Sequence, residues 1–199
     1  MKHIHRLLLH RAVEANLDIA NSLSGRHIYI TGASGFLAAS CLIYLDELRA
    51  RANVSFELAA SARRPMDDVA LFQFMGARPS ADWQVSPAEQ CTLPAGARST
   101  VLHAASYGSP KDYMREPLAT FSANTDGLHN LFRQHPLLAH VVYFSSAEIY
   151  GQPTSDSIPT KEGYVGGLPT LAPRSIYGES KRMAEVLGTV YSTRNNIPF

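Results

Sequence analysis

One stretch constrains the fold more than any other: Thr31-Gly32-Ala33-Ser34-Gly35-Phe36-Leu37-Ala38. The apolar run His27-Ile28-Tyr29-Ile30 leads into it, and a helical pattern from Phe36 to about Arg51 comes after it. The order is therefore strand, glycine turn, helix. Gly32 permits a tight turn, and Gly35 lets the backbone come close to a pyrophosphate. The helix start offers unpaired N–H groups and the positive end of its dipole to phosphates. Ser34, Phe36 and Leu37 belong to the same turn, and Ala38 is small enough for the helix to lie close on the strand. An ordinary βα turn shares these glycines, so the rest of the chain has to decide.

The rest of the chain alternates. Strands are expected at 56–62, 83–85, 100–105 and 140–145, and helices at 66–75, 118–134 and 175–193. The segments 86–98 and 106–117 read as loops, as does the Pro- and Gly-rich stretch after Ser145. Strand and helix in regular alternation predict an α/β, Rossmann-type doubly wound parallel sheet with helices on both faces. Residues 1–24 read as an amphipathic helical extension, with Ile4, Leu7, Leu8, Val13, Leu17, Ile19 and Leu23 as a rough apolar stripe. Residues 25–199 are expected to form a single dinucleotide-binding domain. His3, His5 and His10 read as polar-face histidines, and no metal is expected.

Composition excludes other classes. A net charge of +1 gives no electrostatic case for nucleic acid or an acidic membrane surface. Leu7-Leu8-Leu9 is far too short for a membrane span or a signal core. Cys41 and Cys91 stand apart with no metal spacing, and Cys41 reads as a buried small hydrophobe. The chain reads as reduced and cytoplasmic.

Two later stretches carry chemistry: Ser145-Ser146-Ala147-Glu148-Ile149-Tyr150-Gly151 and Tyr177-Gly178-Glu179-Ser180-Lys181. The first begins at the carboxyl end of a strand, where open α/β sheets place their ligands. In the second, Tyr177 and Lys181 are four apart and share one helix face. An adjacent ammonium favours phenolate over phenol. Such a tyrosine can exchange a proton with a sugar hydroxyl while hydride moves to or from nicotinamide, and the Ser146 hydroxyl can bridge the same oxygen. After the second strand, Ala62 and then Arg63-Arg64 stand where an acidic ribose ligand is common. The arginines either hold a 2′-phosphate, which favours NADP, or are surface or adenine-stacking groups. Small residues at Ala104-Ala105 and Ser106 let a cofactor lie close to the backbone.

Taken together, the chain resembles the extended short-chain dehydrogenase/reductases of the NAD-dependent epimerase/dehydratase family. The residues that carry this are Thr31 to Phe36, His103-Ala104-Ala105-Ser106, Asn124-Thr125-Asp126-Gly127, Ser145 to Gly151, and Arg174-Ser175-Ile176-Tyr177-Gly178-Glu179-Ser180-Lys181-Arg182. Ser109-Pro110-Lys111-Asp112-Tyr113-Met114 and Ala172-Pro173-Arg174-Ser175 are most similar to the UDP-glucuronate decarboxylase branch. The resemblance implies a nucleotide-sugar substrate from polysaccharide precursor synthesis, bound NAD with NADP possible, and oxidation at the sugar C4 followed by decarboxylation or epimerisation. It implies Ser146, Tyr177 and Lys181 as the catalytic trio, with Glu148 beside them. Tyr177 and Lys181 double as cofactor contacts, with Gly32, Ser34, Gly35, Phe36, Leu37, Arg63, Ala104, Ala105 and Ser106.

Family 4,6-dehydratases resemble a Thr-Asp-Glu run where this chain has Ser146-Ala147-Glu148, so the missing aspartate counts against dehydration. The alternatives are a 4,6-dehydratase or a non-catalytic dinucleotide-binding module. The resemblance also implies a homodimer through the helices near 118–134 and 175–193, with Leu128, Leu131, Phe132, Met183, Val186, Leu187 and Val190 as apolar candidates. Family members continue into a substrate-binding domain, so a chain ending at Phe199 is expected to be truncated and inactive alone.

Overall fold

The computed structural model describes residues 2–199. Two short helices come first, α1 (Lys2–Glu14) and α2 (Leu17–Ala20), and then a tight helical turn over Asn21–Leu23. The expected single helix is thus broken. Asn16 leaves helical geometry at φ −130°, ψ 18°, and its side-chain amide donates to the Ala12 carbonyl at 2.7 Å. Val13 and Ala20 from the expected stripe region are buried beside Leu48, but Ile4, Leu7, Leu8, Leu17 and Ile19 lie exposed. Val13 and the partly buried Leu9 anchor α1 to the core, and polar contacts add to them. Arg6 donates to the Met75 carbonyl at 2.8 Å, and Arg51 reaches Glu14 at 3.5 Å.

The sheet strands are β1 (His27–Thr31), β2 (Glu57–Ala62), β3 (Asp82–Val85), β4 (Ser99–His103) and β5 (Leu138–Tyr143). Their order is β3-β2-β1-β4-β5, all parallel. Parallel strands need helical crossovers, and side chains of period two split between the two faces. Ile28, Ile30, Leu58 and Ala60 pack on one face with Leu42 and Phe72 from α3 (Phe36–Ala52) and α4 (Ala70–Met75). Tyr29, Ala59, Val101 and Val141 pack on the other with Leu128, Leu131, Phe132 and Ala184. Each fully buried leucine here contributes about 1.5–3 kcal/mol of transfer free energy. Cys41 is only half-buried against the first cluster.

That second face is covered by α6 (Pro117–Asn124), α7 (Asp126–Arg133) and α8 (Ser175–Asn195). The expected 118–134 helix is two helices with a step at Thr125, whose hydroxyl donates to the Phe121 carbonyl at 2.7 Å. Leu128, Leu131 and Phe132 turn to the sheet, so these three dimer candidates are core residues; Met183, Val186 and Val190 stay exposed. Both α3 and α8 stop at an asparagine in the left-handed region, Asn53 and Asn196, each at φ 52°. The expected loop at 106–117 holds a further helix, α5 (Pro110–Arg115). Ser109 caps it, its hydroxyl accepting from the Asp112 N–H, with Pro110 at the first helical position.

Candidate active site

The strand order reverses between β1 and β4, and the crevice at their carboxyl ends is where an open sheet receives a ligand. Gly32 stands at φ 68°, and a Cβ there would lie 2.5 Å from the Ala105 Cα. Only glycine lets the two strand exits meet this closely. The Gly35 N–H donates to the Gly32 carbonyl at 2.8 Å, closing the turn. Gly35 is the N-cap of α3 and supplies no side-chain cap, so the first N–H groups of that helix face the crevice without a capping side chain. Phe36 and Leu37 are exposed beside them.

Two adjoining clefts run along this crevice. Gly32, Ser34, Gly35, Arg63, Ala104, Ala105 and Ser106 line the first. The second shares Gly35, Ala104 and Ser106 and continues to Phe36, Leu37, Tyr177 and Lys181. Every candidate cofactor residue thus falls on one continuous groove. The Ser106 Oγ is buried with no hydrogen-bond partner. An orphaned hydroxyl in the groove wall, a helix start without a cap and a glycine-only close approach fit a dinucleotide. Arg63 is already engaged within this cleft: its guanidinium lies over the Tyr107 ring at 4.3 Å and donates to the Tyr107 hydroxyl.

At the far end, Tyr177 is 9% and Lys181 2% exposed. The Lys181 Nζ donates to the Phe144 carbonyl at 2.6 Å and sits 4.6 Å from the Tyr143 ring centroid and 5.9 Å from that of Tyr177. Burial pushes the ammonium pKa down to about 8, against an opposing pull from Glu185. The Tyr177 ring stacks on Tyr113, centroids 4.9 Å apart and planes within 11°. Behind them a row crosses the sheet in register, Thr31 beside His103 beside Tyr143. The Thr31 hydroxyl accepts from the Ala105 N–H at 3.3 Å and meets His103 Nδ1 at 2.7 Å. Burial first, and then Lys181, push the His103 pKa down to about 3, so the ring is neutral.

Glu148 sits on a tight turn, Ala147–Tyr150, that Ser146 caps and that packs on the first turn of α8. A Cβ on Gly178 would lie 2.8 Å from the Glu148 carbonyl oxygen, so glycine there lets the turn close on the helix. The Ser146 Oγ accepts from the Glu148 N–H at 3.2 Å. The Glu148 carboxylate is gripped by Arg174 through both oxygens at 3.0 Å each. The turn thus sets Ser146 and Glu148 against the helix that carries Tyr177 and Lys181.

Local spacing gives Tyr113, Tyr143 and Arg174 no role in the site, although Tyr113 and Arg174 lie in stretches that carry the family resemblance. Tyr113 lies on a helix read as loop, and its cap signal Ser-Pro-Lys-Asp was in plain view. Tyr143 lies two residues before Ser145 on the face that meets α8, and Arg174 one turn before Tyr177.

The sequence matches the NAD dependent epimerase/dehydratase family over residues 28–199. It is 33% identical to UDP-glucuronic acid decarboxylase 1 of Danio rerio over 98 residues, 49% of this chain and 23% of that protein. It is 34% identical to UDP-glucuronic acid decarboxylase 1 of Arabidopsis thaliana over 92 residues, 46% of this chain and 21% of that one. The matched segment thus spans about a quarter or less of these relatives. A UDP-N-acetylglucosamine 4-epimerase from Methanobrevibacter ruminantium superposes with a TM-score of 0.67 at 17% identity, covering 87% of this chain and 53% of that one. The Bordetella bronchiseptica enzyme WbmF, solved in complex with NADH, superposes with a TM-score of 0.62 at 17% identity, covering 89% and 48%. The likeness to the solved structures is one of fold. The glycine turn, the groove and the Tyr177–Lys181 helix all fall inside the matched span, and the chain belongs to the NAD dependent epimerase/dehydratase family.

Proposed function

We propose that this chain is the cofactor-binding part of a nucleotide-sugar enzyme that oxidises a sugar C4 hydroxyl and then decarboxylates the product, with epimerisation as the competing outcome. One observation carries the reading: Tyr177 and the buried Lys181 stand at the far end of the groove that opens at the glycine turn. When bound, NAD supplies the acceptor for the hydride. Gly32, Ser34, Gly35 and the first N–H groups of α3 would hold its pyrophosphate, with Ala104, Ala105 and Ser106 along the floor and Phe36 and Leu37 at the nicotinamide end.

Tyr177 takes the proton from the C4 hydroxyl, with the Lys181 ammonium 5.9 Å from its ring centroid. The Ser146 hydroxyl steadies the same sugar oxygen. Glu148 acts at the neighbouring carbon. Oxidation at C4 of a sugar carrying a C6 carboxylate gives a β-keto acid, which loses carbon dioxide with little further help. Ala147 leaves Glu148 without a second acid, which argues against dehydration. The named activity of the Danio rerio and Arabidopsis thaliana relatives supports the decarboxylase branch.

The substrate-gripping domain is assigned to sequence outside these residues, and residues 1–24 to an extension on the cofactor domain at 25–199. Without the far wall of the cleft, residues 1–199 alone are expected to bind cofactor weakly and to leave sugar unconverted. Pairing through α6 and α8 fits the exposed Leu118, Phe121, Met183, Val186 and Val190. A cytoplasmic setting fits the two free cysteines; among the described residues, no helix is long and apolar enough to cross a membrane. The test is to incubate the complete protein with NAD and UDP-glucuronate, UDP-glucose or UDP-N-acetylglucosamine. Carbon dioxide release from UDP-glucuronate, abolished by Tyr177→Phe, is expected. Turnover that survives Tyr177→Phe overturns the assignment.

A further inference from the structure

Lys181 has three N–H donors and almost no water. It is 2% exposed, and the Phe144 carbonyl takes one donor. A desolvated ammonium with one hydrogen bond is poorly compensated unless something else meets its charge. The Tyr143 ring centroid lies 4.6 Å from Nζ, inside the range where an aromatic face attracts a cation. We propose that Tyr143 is a positioning residue for Lys181, its ring forming the seat that holds the ammonium between the Phe144 carbonyl and Tyr177.

The sheet prepares this seat. Tyr143 is the register partner of His103, and the two rings lie 5.7 Å apart with planes within 21°. His103 is fixed in turn by Thr31, its register partner on β1. Burial, and then Lys181 itself, keep His103 neutral, so it places no second cation behind the seat. Phe199 lies near-parallel to the same tyrosine at 6.2 Å. The Tyr143 hydroxyl is buried with no hydrogen-bond partner. The ring, not the hydroxyl, is therefore the part that the surroundings use.

The titratable groups facing Lys181 are few. Glu185 lies one turn on along α8 and favours the charged form, opposing burial. Tyr177 shares the helix, Tyr143 comes from β5, and neutral His103 comes from β4. Removing the ring leaves the ammonium with the Phe144 carbonyl and Glu185 against the same desolvation. The lysine then gives up its proton more readily, and the cation that serves Tyr177 is lost at lower pH.

The role of Lys181 beside Tyr177 rests on the proposed function, but the seat itself does not, and its test reads the lysine directly. The chain has four lysines, Lys2, Lys111, Lys161 and Lys181. The 199-residue chain, labelled with 13C at the lysine ε carbon, gives a signal for each, and loss of one in Lys181→Arg assigns Lys181. Its titration is followed in the wild type, in Tyr143→Phe and in Tyr143→Leu. The wild type and Tyr143→Phe are expected to titrate together, and Tyr143→Leu to hold its proton about tenfold more weakly. Should Tyr143→Leu fail to fold, replacing Tyr143 with trifluorophenylalanine keeps the ring's shape and withdraws electron density from its face; it is expected to shift the titration in the same direction. A lysine that titrates identically with phenylalanine and with either weakened seat overturns the proposal, as does a Tyr143→Phe shift as large as that of Tyr143→Leu. Failure of Tyr177→Phe to stop turnover would strike the proposed function and leave this result standing.

Discussion

Arg174 clasps Glu148 through both carboxylate oxygens, each at 3.0 Å. The two residues arrive from different elements, Glu148 from the turn after β5 and Arg174 from the residue that opens α8. A bidentate guanidinium fixes the plane of a carboxylate as well as its charge. The pair is solvent-exposed on the arginine side, so its value lies in orientation more than in stability.

The first prediction concerns that pair. Arg174→Ala should leave the thermal melt of the chain where it is, because exposed ion pairs contribute little. In the complete protein it should lower decarboxylation more than C4 oxidation, because Glu148 loses its fixed orientation. Reduced cofactor and released carbon dioxide, measured in the same reaction, separate the two steps. Equal loss of both signals would remove Glu148 from any role at the neighbouring carbon.

Gly32 gives a second, sterically driven prediction. Its φ of 68° is a region that side chains rarely adopt, and a Cβ would meet backbone at Ala105, which cannot swing aside. Gly32→Ala should destabilise the chain by about 1–3 kcal/mol. It should also weaken NAD binding, because the β1 and β4 exits have to separate. Chemical denaturation and calorimetric titration with NAD check the two effects. A variant as stable as the wild type would mean that the close approach is not required.

How much of this was legible in sequence depended on range. The glycine turn, the Tyr177–Lys181 spacing and the strand–helix alternation are local patterns, and each appears in the fold at the expected place. The residues that surround the lysine are not local. Tyr143 reaches it only because β5 pairs with β4 in a register that sets it beside His103. Tyr113 meets Tyr177 through packing between α5 and α8, which no spacing rule encodes. The apolar residues of α7 were legible as apolar but not as inward-facing. Leu128, Leu131 and Phe132 suited a subunit interface as well as a core, and the sheet claimed them. The N-terminal stripe failed for the opposite reason. One break at Asn16 turns α2 out of line with α1, and most of the stripe is left outside.

Cofactor choice depends on which arginine is available. Arg63 is held over Tyr107, while Arg64 lines the same cleft beside it. The chain should bind NAD, and it should accept NADP through Arg64. Arg64→Ala is expected to weaken NADP binding several-fold and to leave NAD binding unchanged; Arg63→Ala should disturb both by releasing Tyr107. Calorimetric titration of the three proteins with each cofactor decides it. No detectable NADP binding by the wild type would make both arginines surface groups.

The last prediction concerns acid. His103 is fully buried, and its pKa of about 3 lies well below the ~6.5 of an unfolded histidine. Between those two values the unfolded chain binds a proton at this residue that the folded chain refuses. Stability therefore rises with pH across that window and is lost as pH falls through it. Above about 6.5 both states carry neutral imidazole, and this residue adds no pH dependence. One proton corresponds to a slope of about 1.4 kcal/mol per pH unit in the middle of the window. His103→Asn keeps an acceptor for the Thr31 hydroxyl and removes the titrating group. The other histidines are common to the two proteins, so the difference between them isolates His103. Urea midpoints measured from pH 7.5 to 4.5 should fall more steeply for the wild type than for His103→Asn, with the curves parallel above pH 7. Parallel curves throughout would show that the imidazole accepts its proton in the folded chain, and the neutral state of His103 would fall.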